Sequence, residues 1–343
     1  MWFDGQRQPN TIYAASVSRG KDSTAMLRAI QLMGFPLDII VSVDIWATKD
    51  IPAELPPMVK FKEEYDKKVF DMFGVPVTRT CAINRSKTVN VERERELSRQ
   101  QLLYDKLSYE DYFYRVIGSG KHCGQIKGFP HLLGGWCHRL KTECVDIRGY
   151  ILQTVNEQIF KRQKSWVSDE KGKLVYGGTK EGGDECPPYV SSQDEERRIN
   201  IVYYVGIAAD EPKRIAKHIN KKDIILPLVQ IGWGEAMCGL EAQYMGLLSP
   251  TYTTSLRDGC WFCHNQGVEQ LRNLRKEYPD LWRLLLKWDT DSPVTFHADG
   301  RTVHDYDKRF SLEDEGKIQI GKGFRWKQVL DSNNENVKSD TAC

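Results

Sequence analysis

The chain comprises 343 residues, 28% of them charged, with a formal net charge of +2, which is long enough for one large or two modest domains with a full core. The small net charge excludes a protein that is basic throughout, although it leaves a local basic face open. The sequence has no apolar run near membrane-spanning length and no signal-peptide pattern in its first residues, so we expect a cytoplasmic protein with no membrane partner, whose nine cysteines serve as thiols or metal ligands rather than disulfides.

The first predicted elements are a buried strand over residues 12–17 and a helix in which Met26, Leu27 and Ile30 recur at helical spacing. Between them lies a polar turn, Ser18-Arg19-Gly20-Lys21-Asp22-Ser23. Such a turn directs backbone N–H groups and the positive end of the helix dipole at one point, and Lys21 adds a full charge. The turn therefore indicates a phosphate-binding loop. It is not a Walker A loop, because Ala15 and Asp22 stand where that pattern requires Gly and Ser or Thr.

The next elements alternate between strand and helix. We predict a strand over residues 37–46, a helix within 52–74 and a strand over 76–83, which together favour an α/β fold with a doubly wound, mostly parallel sheet. Ligands of such sheets bind beyond the carboxyl ends of the strands. Asp44 would then face a nucleotide or its metal, or else be a solvated aspartate at the end of a strand.

The remaining elements define the predicted domains. The basic segment 118–141, with Lys121 and Lys127, is either a wall around an anionic substrate or a plain surface loop. Residues 165–198 suggest an inserted loop or lid, residues 199–207 a strand, and residues 213–222 a basic helix. We predict a nucleotide-binding α/β domain over 1–235, a mostly helical part with a C-x-x-C motif over 236–330, and a frayed tail over 331–343.

The order of the motifs resembles the phosphoadenosine-phosphosulfate (PAPS) reductase-like family of the PP-loop ATP pyrophosphatase superfamily. The turn matches the family pattern S-x-G-K-D-S. The other matching segments, within residues of about 11–290, are Trp136–Lys141, Gly206–Arg214, the P-x-Y of Pro250–Tyr252 and the G-C-x-x-C of Gly259–Cys263. Two features depart from the family: Ala208 replaces an expected arginine, and Cys343 lacks the E-C-G-L-H setting of the nucleophilic cysteine in assimilatory reductases.

The resemblance implies an adenine nucleotide α-hydrolase-like fold that binds ATP and Mg²⁺. Lys21 and Asp22 would be the catalytic residues. The nucleotide would be held by Ser16, Ser18, Arg19, Gly20, Lys21, Asp22, Ser23 and Asp44, and the substrate by Arg139, Lys141, Asp210 and Arg214.

The cysteines suggest a second site. Cys260 and Cys263 have the spacing that lets two thiolates reach one metal from a single turn. The resemblance adds Cys137, and we choose Cys238 as the fourth ligand, with Cys144 and Cys123 as competitors. Four cysteines suit either a [4Fe–4S] cluster, which the resemblance favours, or Zn²⁺; the alternative is buried cysteines with no ligand.

Three functions are compatible with the sequence. The first is an ATP pyrophosphatase that adenylates a substrate, releases pyrophosphate and supports sulfur transfer, with a nucleic acid or a sulfur-donor protein as partner. The second is a thiol-dependent sulfonucleotide reductase. The third is a nucleotide-binding regulatory or defence partner without turnover. A dimer is compatible with each.

Overall fold

The structure is a computed structural model that describes residues 3–8, 11–82, 106–130, 135–141, 163–168, 174–181, 184–185, 200–253, 259–319 and 324–329. The described residues form two compact units that interleave along the chain. Unit 1 takes its residues from 1–44, 56–105 and 141–258, and unit 2 from 45–55, 106–140 and 259–343. This division differs from the predicted boundary at residue 235. The predicted tail over 331–343 lies outside the described residues.

The strands are β1 (Thr11–Ser16), β2 (Ile39–Asp44), β3 (Val77–Cys81), β4 (Gln163–Ser168), β5 (Leu174–Glu181), β6 (Asp184–Glu185), β7 (Asn200–Tyr204) and β8 (Ile224–Ile225). The α-helices are α1 (Lys21–Leu32), α2 (Pro56–Phe73), α3 (Tyr109–Phe113), α4 (Pro212–Ile215), α5 (Pro227–Ile231), α6 (Glu235–Tyr244), α7 (Val268–Glu277), α8 (Pro279–Asp291) and α9 (Val303–Asp314). Two 3₁₀-helices span Trp136–Leu140 and Pro250–Thr253.

The main sheet of unit 1 has five strands in the order β3-β2-β1-β7-β8. All four pairings are parallel, and helices flank the sheet, so the predicted α/β class is confirmed. The chain builds outward from β1 to β3 on one side and from β7 to β8 on the other. The strand order therefore reverses between β1 and β7, which is the position where open parallel sheets bind ligands.

Strand β1 is buried on both faces, as expected for a central parallel strand. Tyr13 and Ala15 pack with Met26 and Ile30 of α1 in the larger core cluster. The alternate residues Ile12 and Ala14 pack with a second cluster that includes Ile39, Val41 and Ile201. The apolar run at residues 12–17 therefore forms the strand that the sequence predicted, and it holds the following loop on a rigid base.

Part of the predicted inserted loop is regular structure. Strands β4, β5 and β6 form a separate antiparallel sheet within the segment expected to be a loop or lid. The glycine and proline pairs of this segment indicate a loop, whereas its strands contain β-favouring residues such as Trp166, Val167, Val175 and Tyr176.

The helices differ from expectation in three places. The predicted basic helix over 213–222 is a regular α-helix only in α4. The apolar segment 268–289 forms two helices, α7 and α8, since Pro279 cannot continue α7 and starts α8. Helix α9 was not predicted; its capping box joins Thr302 and Asp305.

Unit 2 has an aromatic core around Tyr109. The Tyr109 ring centroid lies 4.2 Å from that of Phe262, 4.8 Å from that of Trp136 and 5.2 Å from that of Trp288. Residues 45–55 join this unit through the backbone, because Trp46 accepts a hydrogen bond from the Tyr109 amide at 2.8 Å. Among the described helices, none is long and apolar enough to cross a membrane.

Candidate functional site

The loop after β1 is held by its own serines. The Ser23 hydroxyl accepts a hydrogen bond from the Ser18 amide at 3.2 Å and donates one to the Gly20 carbonyl at 3.0 Å. Gly20 is the N-cap of α1, and the Tyr252 hydroxyl accepts a hydrogen bond from the Lys21 amide at 3.4 Å. The Thr24 amide donates to the Gly20 carbonyl at 3.0 Å, so the Asp22 and Ser23 amides are the first-turn donors that α1 offers an anionic ligand. Ser16, at the end of β1, has an exposed side chain.

Arg19 lies beneath the loop rather than on its surface. Its side chain is only 1% exposed, and its guanidinium donates to Asp66 at 3.0 and 3.1 Å and to the Ser42 hydroxyl at 2.6 Å. The backbone of Arg19 has a φ of +63°, the left-handed region that non-glycine residues rarely adopt. These hydrogen bonds anchor the loop to β2 and α2, and the contact between Arg19 and a nucleotide stays a prediction that only its backbone is placed to make.

Asp44 belongs to the same network. It accepts a hydrogen bond from the buried Lys62 at 2.8 Å and lies 3.6 Å from the Arg19 guanidinium. Its side chain remains 20% exposed. Asp44 therefore reaches the predicted edge of the sheet, but with its charge already balanced by two cations.

Lys21 is the cation at the surface of the loop. Its ammonium lies 2.8 Å from Asp22 and 3.3 Å from Glu235, the first residue of α6. Burial lowers the pKa of Lys21, but the hydrogen bond to Asp22 and the charges of Asp22 and Glu235 outweigh it, so this pKa is raised. Lys21 is therefore charged at neutral pH. Glu235 was not among the predicted site residues, because it is 214 positions away in the chain although adjacent in space.

Two glycines bring the surrounding elements close to the loop. A Cβ atom at Gly206, which follows β7, would lie 3.0 Å from the Asp22 carbonyl oxygen and 3.2 Å from the Ser23 Cα. A Cβ atom at Gly234 would lie 2.7 Å from the Asp210 carboxylate. Only glycine fits this close approach between backbones at Gly206, so the ends of β1 and β7 meet at the N-terminus of α1.

The two predicted substrate residues after β7 have structural partners. Asp210 accepts hydrogen bonds from the Glu235 amide at 3.2 and 3.1 Å and so caps α6. The Arg214 guanidinium is paired with Glu211 at 2.7 Å. Asp210 therefore lies beside Glu235, the partner of Lys21, whereas Arg214 is an exposed residue on α4.

Cys238 lies in unit 1, away from solvent, on the side of α6 that packs against α1. Burial raises the pKa of its thiol to about 12, and the charge of Asp22 contributes. Its neighbours are Asp22, Lys21 and Asp210. The structure thus places Cys238 beside the phosphate loop in unit 1, whereas Cys137, Cys260 and Cys263 belong to unit 2, and its role as the fourth ligand stays a prediction.

Cys137, Cys260 and Cys263 all lie near Tyr109 in unit 2. Burial raises the pKa of Tyr109 well above its usual value, and the charges of Cys137, Cys263 and Cys260 add to the effect. The Tyr109 hydroxyl is buried and has no hydrogen-bond partner. Cys123, the competing ligand, is exposed, and Cys144 lies outside the described residues.

The described cysteine side chains are not arranged as a complete metal site. Within the described ranges, no group of three or more His, Cys, Asp or Glu side chains is arranged to hold a metal ion. The six described cysteines are thiols rather than disulfides. The structure therefore brings three of the predicted ligands to one aromatic neighbourhood without forming a complete metal centre.

Arg139 and Lys141 lie in unit 2 and unit 1, respectively, and both are exposed at the end of the 3₁₀-helix Trp136–Leu140. Arg139 also lines a cavity with Lys127.

Compared with known proteins, the chain matches no protein-family model, no curated protein and no solved structure.

Proposed function

We propose that the chain is a PAPS reductase-like ATP pyrophosphatase with an adenine nucleotide α-hydrolase-like fold. The observation that carries the proposal is the position of the α1 N-terminus, next to the charged Lys21, at the reversal of strand order between β1 and β7. The helix dipole contributes only about 0.3–1 kcal/mol, so charge-assisted hydrogen bonds of about 1.5–3 kcal/mol each supply most of the phosphate affinity.

The residues of the loop take separate roles. Lys21 and the amides of the first turn of α1 bind the phosphates, and Ser16 and Ser18 add hydroxyl donors, whereas Ser23 adds its backbone amide because its hydroxyl donates to the Gly20 carbonyl. The carboxylates of Asp22 and Asp44 are oxygen ligands of the kind Mg²⁺ prefers. The Arg19 side chain positions the loop from below, which leaves its backbone N–H as the only donor it offers a nucleotide.

In the proposed reaction, a substrate oxygen attacks the α-phosphorus of ATP. The bond between that phosphorus and the oxygen bridging to the β-phosphorus breaks, and pyrophosphate leaves with the electron pair. Lys21 and the α1 amides stabilise the charge that develops on the phosphates. A sulfur nucleophile from a donor protein then displaces AMP from the adenylated substrate. We place this activity in the cytoplasm.

The cysteines of unit 2 are proposed to hold a [4Fe–4S] cluster, with Zn²⁺ as the alternative. The donor set suits the proposal, since thiolates select zinc and iron–sulfur clusters and a bound thiolate would give the orphan Tyr109 hydroxyl an acceptor. Cys137, Cys260 and Cys263 would be ligands, and the fourth is Cys144, Cys123 or Cys238. A cluster supplies electron or sulfur chemistry, whereas zinc supplies a structural link. Metal analysis and the visible spectrum of anaerobically purified protein distinguish them.

The test measures the products of ATP. The wild-type protein is expected to form AMP and pyrophosphate, and Lys21→Ala to lose this activity. The control is Lys67→Ala, which removes an exposed lysine on α2 and should leave the rate unchanged. Formation of ADP and phosphate would overturn the proposal. ATP binding without cleavage would favour a regulatory or defence partner, and reduction of PAPS without ATP would favour the sulfonucleotide reductase.

A further inference from the structure

A cavity of about 170 Å³ lies in unit 2, remote in sequence from the phosphate loop. Its described lining consists of Ile117, Lys127, Trp136 and Arg139. Two of these four side chains are cations, and the lining contains no carboxylate among the residues that the structure describes. The cavity is therefore suited to an anionic group.

The walls of the cavity are held in place by backbone and aromatic contacts. Ile117 and Gln125 are joined by a hydrogen bond from the Ile117 amide at 2.9 Å, and the Lys127 amide donates to the Arg115 carbonyl at 3.1 Å. The Trp136 indole N–H donates to the Gly128 carbonyl at 3.2 Å. Since these bonds connect both ends of the segment, the two cations project from a preorganised frame.

The charge around the cavity is one-sided. The segment from Arg115 to Lys141 contains five lysines and arginines and no aspartate or glutamate, whereas the whole chain has a net charge of only +2. Arg115 and Lys127 both lie over the Tyr112 ring, at 4.2 and 5.0 Å from its centroid. The segment therefore carries a concentrated positive charge, the feature that binds phosphate groups.

A second cavity of unit 2 provides a contrast. Its described lining consists of Glu110, Asp111, Tyr114 and Lys287, two acidic side chains and one cation. A phosphate is therefore better suited to the basic cavity.

We propose that the basic cavity binds a phosphate group of the molecule that the enzyme modifies. Arg139 offers a planar fork that can bind two phosphate oxygens, and Lys127 offers a compact charge. The further cations of the segment extend the positive surface beyond a single phosphate. The phosphate belongs either to a nucleic-acid strand or to a free nucleotide. Binding of the phosphate does not depend on the proposed function; only the reaction that follows binding rests on it.

The test measures binding of a fluorescein-labelled, single-stranded oligodeoxynucleotide by fluorescence anisotropy. The double variant Lys127→Gln/Arg139→Gln is expected to weaken binding by about 100-fold, at roughly tenfold or more for each charge-assisted contact. The slope of log affinity against log salt should become shallower by about 1.4, at about 0.7 for each cation removed from a single-strand contact. The matched control is Lys276→Gln/Arg283→Gln, which removes two exposed cations from α7 and α8 of the same unit and should change affinity less than about threefold.

Competition identifies the source of the phosphate. If AMP displaces the oligonucleotide, the site takes a nucleotide; if only unlabelled oligonucleotide does, the site takes a strand. Failure of wild-type protein to bind either probe, or equal binding by the test and control variants, would overturn the inference. ATP cleavage measured without oligonucleotide tests the proposed function separately, so the two proposals can fail independently. Circular dichroism of both double variants verifies that they fold.

Discussion

Replacing Arg19 with methionine tests whether this residue anchors the phosphate loop or touches the nucleotide. Methionine keeps most of the side-chain volume but removes three charge-assisted hydrogen bonds, two to Asp66 and one to Ser42. Breaking a buried ion pair costs about 3–5 kcal/mol. Asp66 would keep Arg79 at 2.7 Å, and Asp44 would keep Lys62 at 2.8 Å, so we expect the lower end, about 3 kcal/mol.

The measurement is the free energy of unfolding from urea denaturation, together with the Kd for ATP. Arg19→Met is expected to lower both stability and ATP affinity, because the loop loses its support. Lys21→Met serves as the comparison, since it removes a cation at the surface of the loop and should reduce ATP affinity with a much smaller effect on unfolding. If Arg19→Met unfolded like the wild type and yet lost ATP affinity, the guanidinium would contact the nucleotide directly and the anchoring argument would be refuted.

Three further predictions concern the surroundings of the two sites. Gly206→Ala should displace the start of α1 and weaken ATP binding by about tenfold, since overpacking costs about 1–3 kcal/mol; Gly239→Ala, where a Cβ meets nothing within 4 Å, should leave ATP binding unchanged. Tyr109→Phe should stabilise the metal-free protein by about 1 kcal/mol, because it removes a buried hydroxyl without a partner, and should shift the visible spectrum of a cluster-loaded protein; a loss of stability in the metal-free protein would contradict this. Iodoacetamide at pH 8 should modify the exposed Cys123 well before Cys238, whose raised pKa keeps it a thiol, and mass spectrometry of peptides gives the order.

Local patterns predicted the elements that support the phosphate loop. The apolar run at residues 12–17 and the helical spacing of Met26 and Ile30 predicted β1 and α1, because burial on both faces of a strand and on one face of a helix leaves a direct trace in the sequence. The alternation of strand and helix also predicted the parallel sheet. The position of the loop at the carboxyl end of β1 follows from that pattern.

Tertiary partners could not be predicted in the same way. The pairing of Arg19 with Asp66, and of Lys21 with Glu235, joins residues 47 and 214 positions apart, and no local periodicity records such a contact. The surroundings of Cys238 also could not be predicted from local patterns. Its place in a mostly helical part was predicted, but the orientation of its thiol toward α1 depends on how the two helices pack.

The distribution of charge at the phosphate loop explains why a divalent cation suits the proposed reaction. Lys21 is the loop's surface cation, and it already contacts two carboxylates, Asp22 and Glu235. Asp210 adds a third negative charge at the start of α6. A triphosphate approaching this cluster meets repulsion from the carboxylates as well as attraction from Lys21 and the α1 amides, and a Mg²⁺ ion shared between phosphate and carboxylate oxygens would convert that repulsion into binding. The same carboxylates that oppose bare ATP would therefore select its magnesium complex.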